Sequence, residues 1–450
     1  MTRTPLPKTI ATFLTCSAFF LCTLHAWAAE VTQKVVVMTS YPEEMMSRFE
    51  AAFEKAHPGT RMEIVWSRSG DAMKYLKENP GRVDVYWTPA QRSFAALAKQ
   101  GAFMRMPIDM QGLPNKVGGF PISDPELRYV AAEIAGFGFA INKTRIKERG
   151  LPRPKQWIDL TDARWQDEII FPTPSRVGFA PPLVEIITQG YGWDKGWRVL
   201  QQIGANAWQQ EEGGPLNTGD EVVQGRVSLR VSIDFFINSA IANGAPLSFI
   251  YPDITGYSPA HVGIFRDAPN PKAAKAFAGY VLSDEGQKIL FHPDIRKLPV
   301  RPSVYRNKPA GYYDPFTAAM VTPFQFDMKG ALHRQGLNNT LFDVMVTERR
   351  SRLRALLHVL ADAERAAGND RDKLNDVQQA RTLAMQLPIT RQEADQLAAR
   401  FVSNFEEERQ PGLNATLLND WHEKVRNNDR KAEQIAERVI AAANKKDARP

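Results

Sequence analysis

A hydroxyl group and a guanidinium group follow one of the predicted strands, at Ser175 and Arg176. This strand begins at Ile169, and a pattern typical of a helix comes after the loop. We therefore expect free backbone N–H groups at a helix N-terminus to converge with the Ser175 hydroxyl and the Arg176 guanidinium, which forms an anion site. The structural alternative is that Ser175 caps the helix and Arg176 pairs with a surface carboxylate.

Polar residues also follow three predicted strands near the start of the chain. The strand at residues 35–38 is followed by Ser40 and Tyr41, the strand at 61–66 by Arg68, Ser69 and Gly70, and the strand at 83–87 by Thr88. Helical patterns separate these strands, and the β-α-β-α-β order indicates a parallel sheet that binds ligands at the carboxyl ends of its strands. These residues are therefore candidate ligand contacts, and helix capping alone is the alternative for Ser40.

Another set of candidates lies in the middle of the chain. Its members are Gly214, Asn217, Thr218, Asp234 and Tyr257. The glycine belongs to a loop where backbone amides can approach an anion closely, and a plain surface turn is the alternative. Asp234 ends a predicted strand and Tyr257 lies in a predicted return crossover, so both are placed to hydrogen-bond ligand hydroxyls. Capping of the following helix is the alternative for Asp234.

The sequence carries no recognisable catalytic or metal-binding motif. It has neither a Walker loop nor a G-x-S-x-G motif, and its seven histidines show no HExxH or other compact metal spacing. The two cysteines, Cys16 and Cys22, lie in an N-terminal segment that we expect to be removed. We therefore expect no catalysis, no metal and no cofactor, with the histidines as isolated surface or capping residues.

The N-terminus has the pattern of a secretory signal peptide. Arg3 and Lys8 precede an apolar run at residues 10–24, and Ala26 and Ala28 supply the small residues that a signal peptidase recognises. The run is shorter than the about 20 apolar residues that a membrane-spanning helix needs. We expect cleavage after Ala28 and a free protein in the periplasm.

Composition indicates a soluble globular protein. The chain has 450 residues, 43% of them hydrophobic and 24% charged, which excludes a disordered chain and a polytopic membrane protein. At about 150 residues per domain, two to three domains are expected. The net charge is +7, but charges of both signs are interspersed, so we expect no nucleic-acid partner.

The pattern of elements changes near residue 328. Before this point, strands and helices alternate and predict two α/β lobes, one from residues 29–132 with 256–327 and the other from 133–255. Beyond it, helical periodicity predicts an all-helical C-terminal extension with helices at residues 337–367, 371–387, 390–408 and 415–443. Thr390 and Glu393 match a capping box. The extension is predicted to pack on the lobes, with docking of a partner as the alternative.

Several segments together resemble a known family. They are GFGFAINK (136–143), PSR (174–176), GYGWDKGW (190–197), NPKAAKAF (270–277) and LSDEGQ (282–287). This combination is similar to the extracellular solute-binding proteins of ABC importers, in their iron-type branch, over about residues 33–305. Within that branch, the length and the long helical C-terminus are most similar to the phosphoglycerate transport regulatory proteins.

The resemblance implies a fold, a ligand class and a partner. The fold is the two-lobed type 2 periplasmic-binding-protein fold with crossover hinge strands, in which Ser40 and Tyr41 match the first ligand loop and Gly214 lies in the second cleft loop. The ligand is expected to be a small anionic, phosphorylated compound of the phosphoglycerate type. The partner is expected to be an inner-membrane ABC permease or a transmembrane sensor kinase, with the solute-binding chain as a monomer.

The same resemblance leaves two alternatives open. The iron-type branch includes ferric-ion carriers, which typically present adjacent tyrosines late in the second lobe. Here Tyr251 and Tyr257 are six residues apart, and Tyr312-Tyr313 is expected to lie beyond the lobes, so iron is the less favoured ligand. The second alternative is a periplasmic signalling adaptor that acts through its helical extension.

Overall fold

The computed structural model describes residues 33–67, 69–211, 220–401 and 415–447. The predicted signal peptide and both cysteines lie outside these residues. The strands are β1 (Gln33–Thr39), β2 (Thr60–Trp66), β3 (Val85–Thr88), β4 (Lys116–Val117), β5 (Phe120–Pro121), β6 (Val130–Asn142), β7 (Ile169–Pro172), β8 (Ala207–Glu211), β9 (Leu229–Ile233), β10 (Leu247–Ile250), β11 (Tyr257–Ile264) and β12 (Leu298–Pro299).

The α-helices fall between these strands and then dominate the C-terminal third. They are α1 (Glu43–Ala56), α2 (Ser69–Glu78), α3 (Gln91–Lys99), α4 (Lys143–Glu148), α5 (Pro181–Tyr191), α6 (Trp193–Asn206), α7 (Asp220–Val223), α8 (Asp234–Ala242), α9 (Pro271–Leu282), α10 (Asp284–Ile289), α11 (Pro315–Val321), α12 (Met328–Phe342), α13 (Arg350–Ala367), α14 (Arg371–Ala384), α15 (Arg391–Leu397) and α16 (Ala415–Asp447). Short 3-10 turns lie at Trp157–Thr161, Ala163–Trp165, Pro302–Asn307 and Ala398–Arg400.

The sheet has two halves that share one long strand. In the first half, which we call the first lobe, the order is β2-β1-β3-β11-β6, with β1 parallel to β2 and β3. In the second half, the second lobe, β9 and β10 run antiparallel to β6, and β7 and β8 follow β9. Residues 130–136 of β6 pair with β11, whereas residues 137–142 pair with β9 and β10. β6 is therefore a crossover strand that joins the two lobes, as the family resemblance implied.

The first lobe is held by an amphipathic helix on a parallel sheet. Helix α1 buries Met45, Met46, Phe49 and Phe53. The last three recur at the spacing that is typical of one face of a helix. Phe49 meets Trp87 of β3 edge to face at 4.8 Å. Burial of such large side chains contributes about 1.5–3 kcal/mol each, and it holds α1 on the face of the sheet.

Two glycines of β6 allow the backbone of the second lobe to approach closely. A Cβ atom at Gly138 would lie 2.2 Å from the carbonyl oxygen of Ile250, and one at Gly136 would lie 2.6 Å from the Tyr251 ring. Contacts under 3 Å require the neighbouring backbone or ring to move. This explains the GFGF motif as a requirement of packing at the crossover.

Gly138→Ala is therefore expected to lower the free energy of unfolding by about 1–3 kcal/mol, the cost of overpacking a filled site. The matched control is Gly279→Ala on α9, where a new Cβ meets open space and alanine should stabilise the helix by about 0.5–1 kcal/mol. Urea unfolding of both variants measures the difference. Equal stability of the two variants would contradict the close-approach explanation.

The C-terminal helices form a subdomain that packs on the second lobe. Helices α13, α14 and α16 enclose their own apolar core, which includes Leu356, Leu360 and Ala436. Helix α12 packs on α5, and the Phe342 ring stacks with Phe171 at 5.7 Å. The predicted packing on the lobes is confirmed, and docking of a partner stays a prediction.

The bounds of these helices differ from the prediction, most of all in the first and third of them. A π-helical turn at Asp343–Thr347 interrupts the predicted helix at 337–367. The predicted helix at 390–408 instead ends at Leu397, and residues 402–414 lie outside the described part. The capping box at Thr390 and Glu393 is confirmed, with each side chain bonded to the other's backbone.

Candidate ligand site between the lobes

The carboxyl ends of β1 and β3 bring two hydroxyl groups together. The Ser40 Oγ lies 2.6 Å from the Thr88 Oγ1. Ser40 is exposed, whereas Thr88 is buried. The sequence predicted both as candidate contacts at one edge of the sheet, and the structure places them side by side there because parallel strands end at the same edge.

The third predicted residue of this edge, Tyr41, is buried and bonded to a carboxylate of the crossover strand. Its hydroxyl donates to Glu133 Oε1, while the Trp87 Nε1–H donates to Glu133 Oε2 at 3.2 Å. Burial raises the pKa of the Tyr41 phenol well above its usual value, and Glu133 raises it further. The Tyr41 hydroxyl is therefore a neutral donor that ties the β1 loop to β6.

A lysine completes this cluster and contacts both lobes. Lys297 Nζ lies 3.3 Å from Glu133 Oε1, and both side chains are almost completely buried. The same ammonium lies 4.7 Å from the ring centroid of Tyr41, in the first lobe, and 4.3 Å from that of Phe235, in the second lobe. Cation–π attraction at these distances favours an ammonium over the ring faces. Lys297 therefore lies at the junction of the lobes.

Asp234 lies on the second-lobe side of the junction, where β9 ends and α8 begins. Its Oδ2 accepts hydrogen bonds from the Gly136 N–H at 2.8 Å and the Tyr251 hydroxyl at 3.0 Å. The residue is completely buried, and its Oδ1 has no hydrogen-bond partner among the described residues. Burial raises the pKa of Asp234 to about 7, although these donors and Lys297 oppose the shift.

Three tyrosines gather beside Asp234. The Tyr313 ring stacks on Tyr251 at 3.6 Å, and the Tyr313 and Tyr257 hydroxyls are 2.8 Å apart. The expectation that Tyr313 lies beyond the lobes is wrong, because the chain after Asn307 returns to the junction. Burial raises the pKa of all three phenols, that of Tyr313 to about 12, so these phenols are neutral at pH 7.

Ser175 and Arg176 do not begin a helix. They lie in a turn in which the Arg176 N–H donates to the Thr173 carbonyl at 3.0 Å, and α5 begins only at Pro181, after the N-cap Ala180. The predicted helix N-terminus is therefore wrong at this position, because Pro181 and Pro182 set the start of the helix further along the chain.

The side chains of this turn face the helical extension and solvent. The Ser175 hydroxyl donates to Asp343 Oδ1 at 3.0 Å, in the π-helical turn that follows α12. Arg176 is exposed and is close enough to Asp343 to lower the pKa of that carboxyl, which burial otherwise raises. The turn thus connects the second lobe to the extension.

The remaining predicted contacts are described only in part or not at all. Arg68, Gly214, Asn217 and Thr218 lie outside the described residues. Ser69 and Gly70 form the first turn of α2, and their side-chain surroundings are not described. The cluster at the junction consequently rests on β1, β3, β6, α8 and the segments that carry Lys297 and Tyr313. Arg176 lies outside this cluster and stays a predicted ligand contact.

The contacts predicted from the sequence leave out four residues of the junction, which are Glu133, Lys297, Trp87 and Phe235. Tyr251 was considered only as a ligand for ferric ion. A signal existed for Glu133, since it is the one carboxylate in the otherwise apolar strand β6. Buried carboxylates require a partner, so its position alone indicated a cation nearby. No local pattern marks Lys297 as that partner.

Two further observations concern metals and membranes. Within the described ranges, no group of three or more histidine, aspartate or glutamate side chains is arranged to hold a metal ion. None of the helices described is both long and apolar enough to cross a membrane.

Known proteins similar to this chain share its two-lobed part. A sequence model of the bacterial extracellular solute-binding proteins matches residues 88–317, just over half of the chain. The phosphoglycerate transport regulatory protein PgtC of Salmonella typhimurium is 28% identical over 235 residues, which are 52% of this chain and 58% of PgtC. The chain thus covers little more than half the length of this curated relative.

Two solved structures show the same fold. The periplasmic binding protein AfuA from Actinobacillus pleuropneumoniae, with exogenous fructose 6-phosphate bound, is 21% identical with a TM-score of 0.55 and covers 70% of this chain and 99% of its own. The ferric iron-binding protein A of Mannheimia haemolytica, in an open conformation, is 14% identical with a TM-score of 0.53 and covers 70% of this chain and 98% of its own.

The family match at residues 88–317 includes strands from both halves of the sheet and the crossover strand β6. These likenesses agree with the resemblance seen in the sequence motifs and with the two-lobed architecture, to which the helices after Met328 are added. The chain belongs to the bacterial extracellular solute-binding proteins and has the fold of the type 2 periplasmic binding proteins.

Proposed function

We propose that this protein is a periplasmic receptor that closes its two lobes on a small phosphorylated organic anion of the phosphoglycerate type. One lobe comprises residues 29–132 and 256–327, and the other comprises 133–255. The receptor makes and breaks no bond. It presents the closed, loaded form to a membrane partner, which is an ABC permease or a transmembrane sensor.

The observation that carries this proposal is the Lys297 ammonium between the aromatic rings of the two lobes. The Lys297 ammonium contacts both lobes, so an anion bound to it contacts all its partners only when the lobes are closed. Binding of the anion therefore favours the closed arrangement. Arg176 adds an exposed cation on the second lobe, and the Ser40–Thr88 pair adds hydroxyls on the first. Guanidinium and hydroxyl groups suit phosphate oxygens.

The names of similar proteins support the same ligand class. PgtC is named for phosphoglycerate transport, and the AfuA structure holds fructose 6-phosphate. Both compounds are small organic phosphates.

Ferric ion is the second candidate, because Tyr251, Tyr257 and Tyr313 gather beside Asp234. Iron(III) prefers ionised oxygen ligands, so the raised phenol pKa values oppose this use. The hydroxyls are also bonded to Asp234 or to each other. The neutral, paired phenols therefore favour an organic ligand.

Arg176→Ala is expected to weaken the binding of 3-phosphoglycerate by about 1.5–3 kcal/mol, the range for a hydrogen bond to a charged group. Titration calorimetry measures the affinity. The matched control is Arg198→Ala, which removes an exposed arginine from α6 of the same lobe and should leave the affinity unchanged. Equal affinities of the two variants would remove Arg176 from the site.

The signalling alternative also has a structural basis. Ser175 bonds to Asp343 of the extension, so a ligand that moves the turn at Arg176 also changes the surroundings of the π-helical turn. The extension is therefore in a position to report ligand binding to a sensor.

A further inference from the structure

When Asp234 is ionised, one of its carboxylate oxygens is an acceptor without a donor. Oδ2 receives two hydrogen bonds, but no donor of the described residues reaches Oδ1, and the residue has no exposed surface. Leaving a buried polar atom unpaired costs about 1–3 kcal/mol. At a junction between two lobes, a ligand hydroxyl can supply the missing donor.

The Lys297 ammonium has the opposite property, an excess of donors. The ammonium carries three N–H groups. Its one ion pair among the described residues is with Glu133 Oε1, at 3.3 Å. The rings of Tyr41 and Phe235 offer it π-faces and no oxygen lone pair. Lys297 therefore has donor capacity left for an anionic oxygen.

These two groups are neighbours across the junction. Phe235, whose ring centroid lies 4.3 Å from Lys297 Nζ, is the residue next to Asp234 at the start of α8. An unpaired acceptor and an ammonium with donors to spare thus lie within one small region that is shared by both lobes.

We propose that Asp234 and Lys297 form a subsite for a 2-hydroxy-carboxylate group, in which Asp234 Oδ1 accepts the hydroxyl hydrogen and Lys297 donates to the carboxylate. This inference rests on the proposed function and specifies its ligand as a phosphorylated hydroxy acid. Such a compound presents a donor and an anionic acceptor on adjacent carbons, which complements the pair. Inorganic phosphate has neither a carbon-bound hydroxyl for Asp234 nor a carboxylate for Lys297. A sugar phosphate has hydroxyl groups but no carboxylate for Lys297.

The test compares three organic phosphates on the unmodified protein by titration calorimetry. 3-Phosphoglycerate has both groups, 3-phosphonooxypropanoate lacks the hydroxyl, and glycerol 3-phosphate lacks the carboxylate. Each missing group is expected to weaken binding at least about 10-fold, since a hydrogen bond to a charged group is lost and its protein partner stays buried.

Asp234→Asn provides a second, isosteric test. The Gly136 N–H requires an acceptor, so the amide oxygen takes the place of Oδ2 and the NH2 group replaces the Oδ1 acceptor. The preference for 3-phosphoglycerate over 3-phosphonooxypropanoate should then fall below about 3-fold. The control Asp194→Asn, at an exposed position of α6, should keep the full preference.

Equal binding of the three organic phosphates would overturn the subsite and leave the phosphate receptor standing. An unchanged preference in Asp234→Asn would also overturn it. If ferric citrate binds and none of the organic phosphates does, both the subsite and the proposed function are wrong.

Discussion

Arg334→Ala is expected to lower the free energy of unfolding by about 3–5 kcal/mol, the cost of leaving one charge of a buried pair without its partner. The Arg334 guanidinium donates to both oxygens of Glu185, at 2.8 and 2.9 Å, and both side chains are almost fully buried. It also lies 2.7 Å from Asp395 of α15. Arg334 therefore joins α12, α15 and α5, and its loss removes this contact between the extension and the second lobe.

The control for this prediction is Arg352→Ala in the same extension. Arg352 pairs with Glu433 at a similar distance of 2.7 Å, but the pair is partly exposed. Exposed pairs contribute about 0–1 kcal/mol. Urea unfolding followed by circular dichroism compares the variants. If Arg334→Ala costs no more than Arg352→Ala, the extension is not held to the lobe by this pair, and a weakly attached docking element becomes the better interpretation.

Lys297→Met is the second substitution expected to have a large effect. It removes the cation that pairs with buried Glu133 and the contact with both aromatic rings, so we expect a loss of about 3–5 kcal/mol. Lys34→Met is the matched control, since Lys34 pairs with Glu63 at 3.0 Å on the exposed surface, where about 0–1 kcal/mol is expected.

A double variant separates the charge from the packing. Because replacing both members of a buried ion pair is often neutral or stabilising, Lys297→Met combined with Glu133→Gln should recover most of the stability that Lys297→Met loses. Thermal and urea unfolding of the two single variants and the double variant give the coupling energy. Additive losses would show that Lys297 stabilises the junction by packing alone.

The order of the elements was largely predictable from local sequence patterns. Alternating strand and helix signals predicted the parallel arrangement of β1, β2 and β3. The motif that includes Gly136 and Gly138 contributed to the family resemblance, which implied the crossover strand β6. Helical periodicity and the Thr390 capping box gave the extension. Each of these signals lies within one element, where neighbouring residues determine the structure.

The contacts of the site depended on distant parts of the chain, which no local pattern reveals. Lys297 meets Glu133 across more than 150 residues of sequence, and Tyr313 reaches Tyr251 only because the segment after the last strand returns to the junction. Ser175 was predicted at the edge of the sheet, but its hydroxyl is bonded to the extension. Such pairings follow from how the elements pack together.

The most direct test of a receptor for phosphorylated organic anions is thermal unfolding of the purified protein with a ligand panel. The panel comprises 2- and 3-phosphoglycerate, phosphoenolpyruvate, fructose 6-phosphate, inorganic phosphate and ferric citrate. A ligand at about 1,000 times its dissociation constant stabilises the folded state by about 4 kcal/mol, which raises the melting temperature by several degrees. The predicted result is a shift with the phosphorylated acids and little or none with ferric citrate. A shift with ferric citrate alone, or with none of the compounds, would contradict the account.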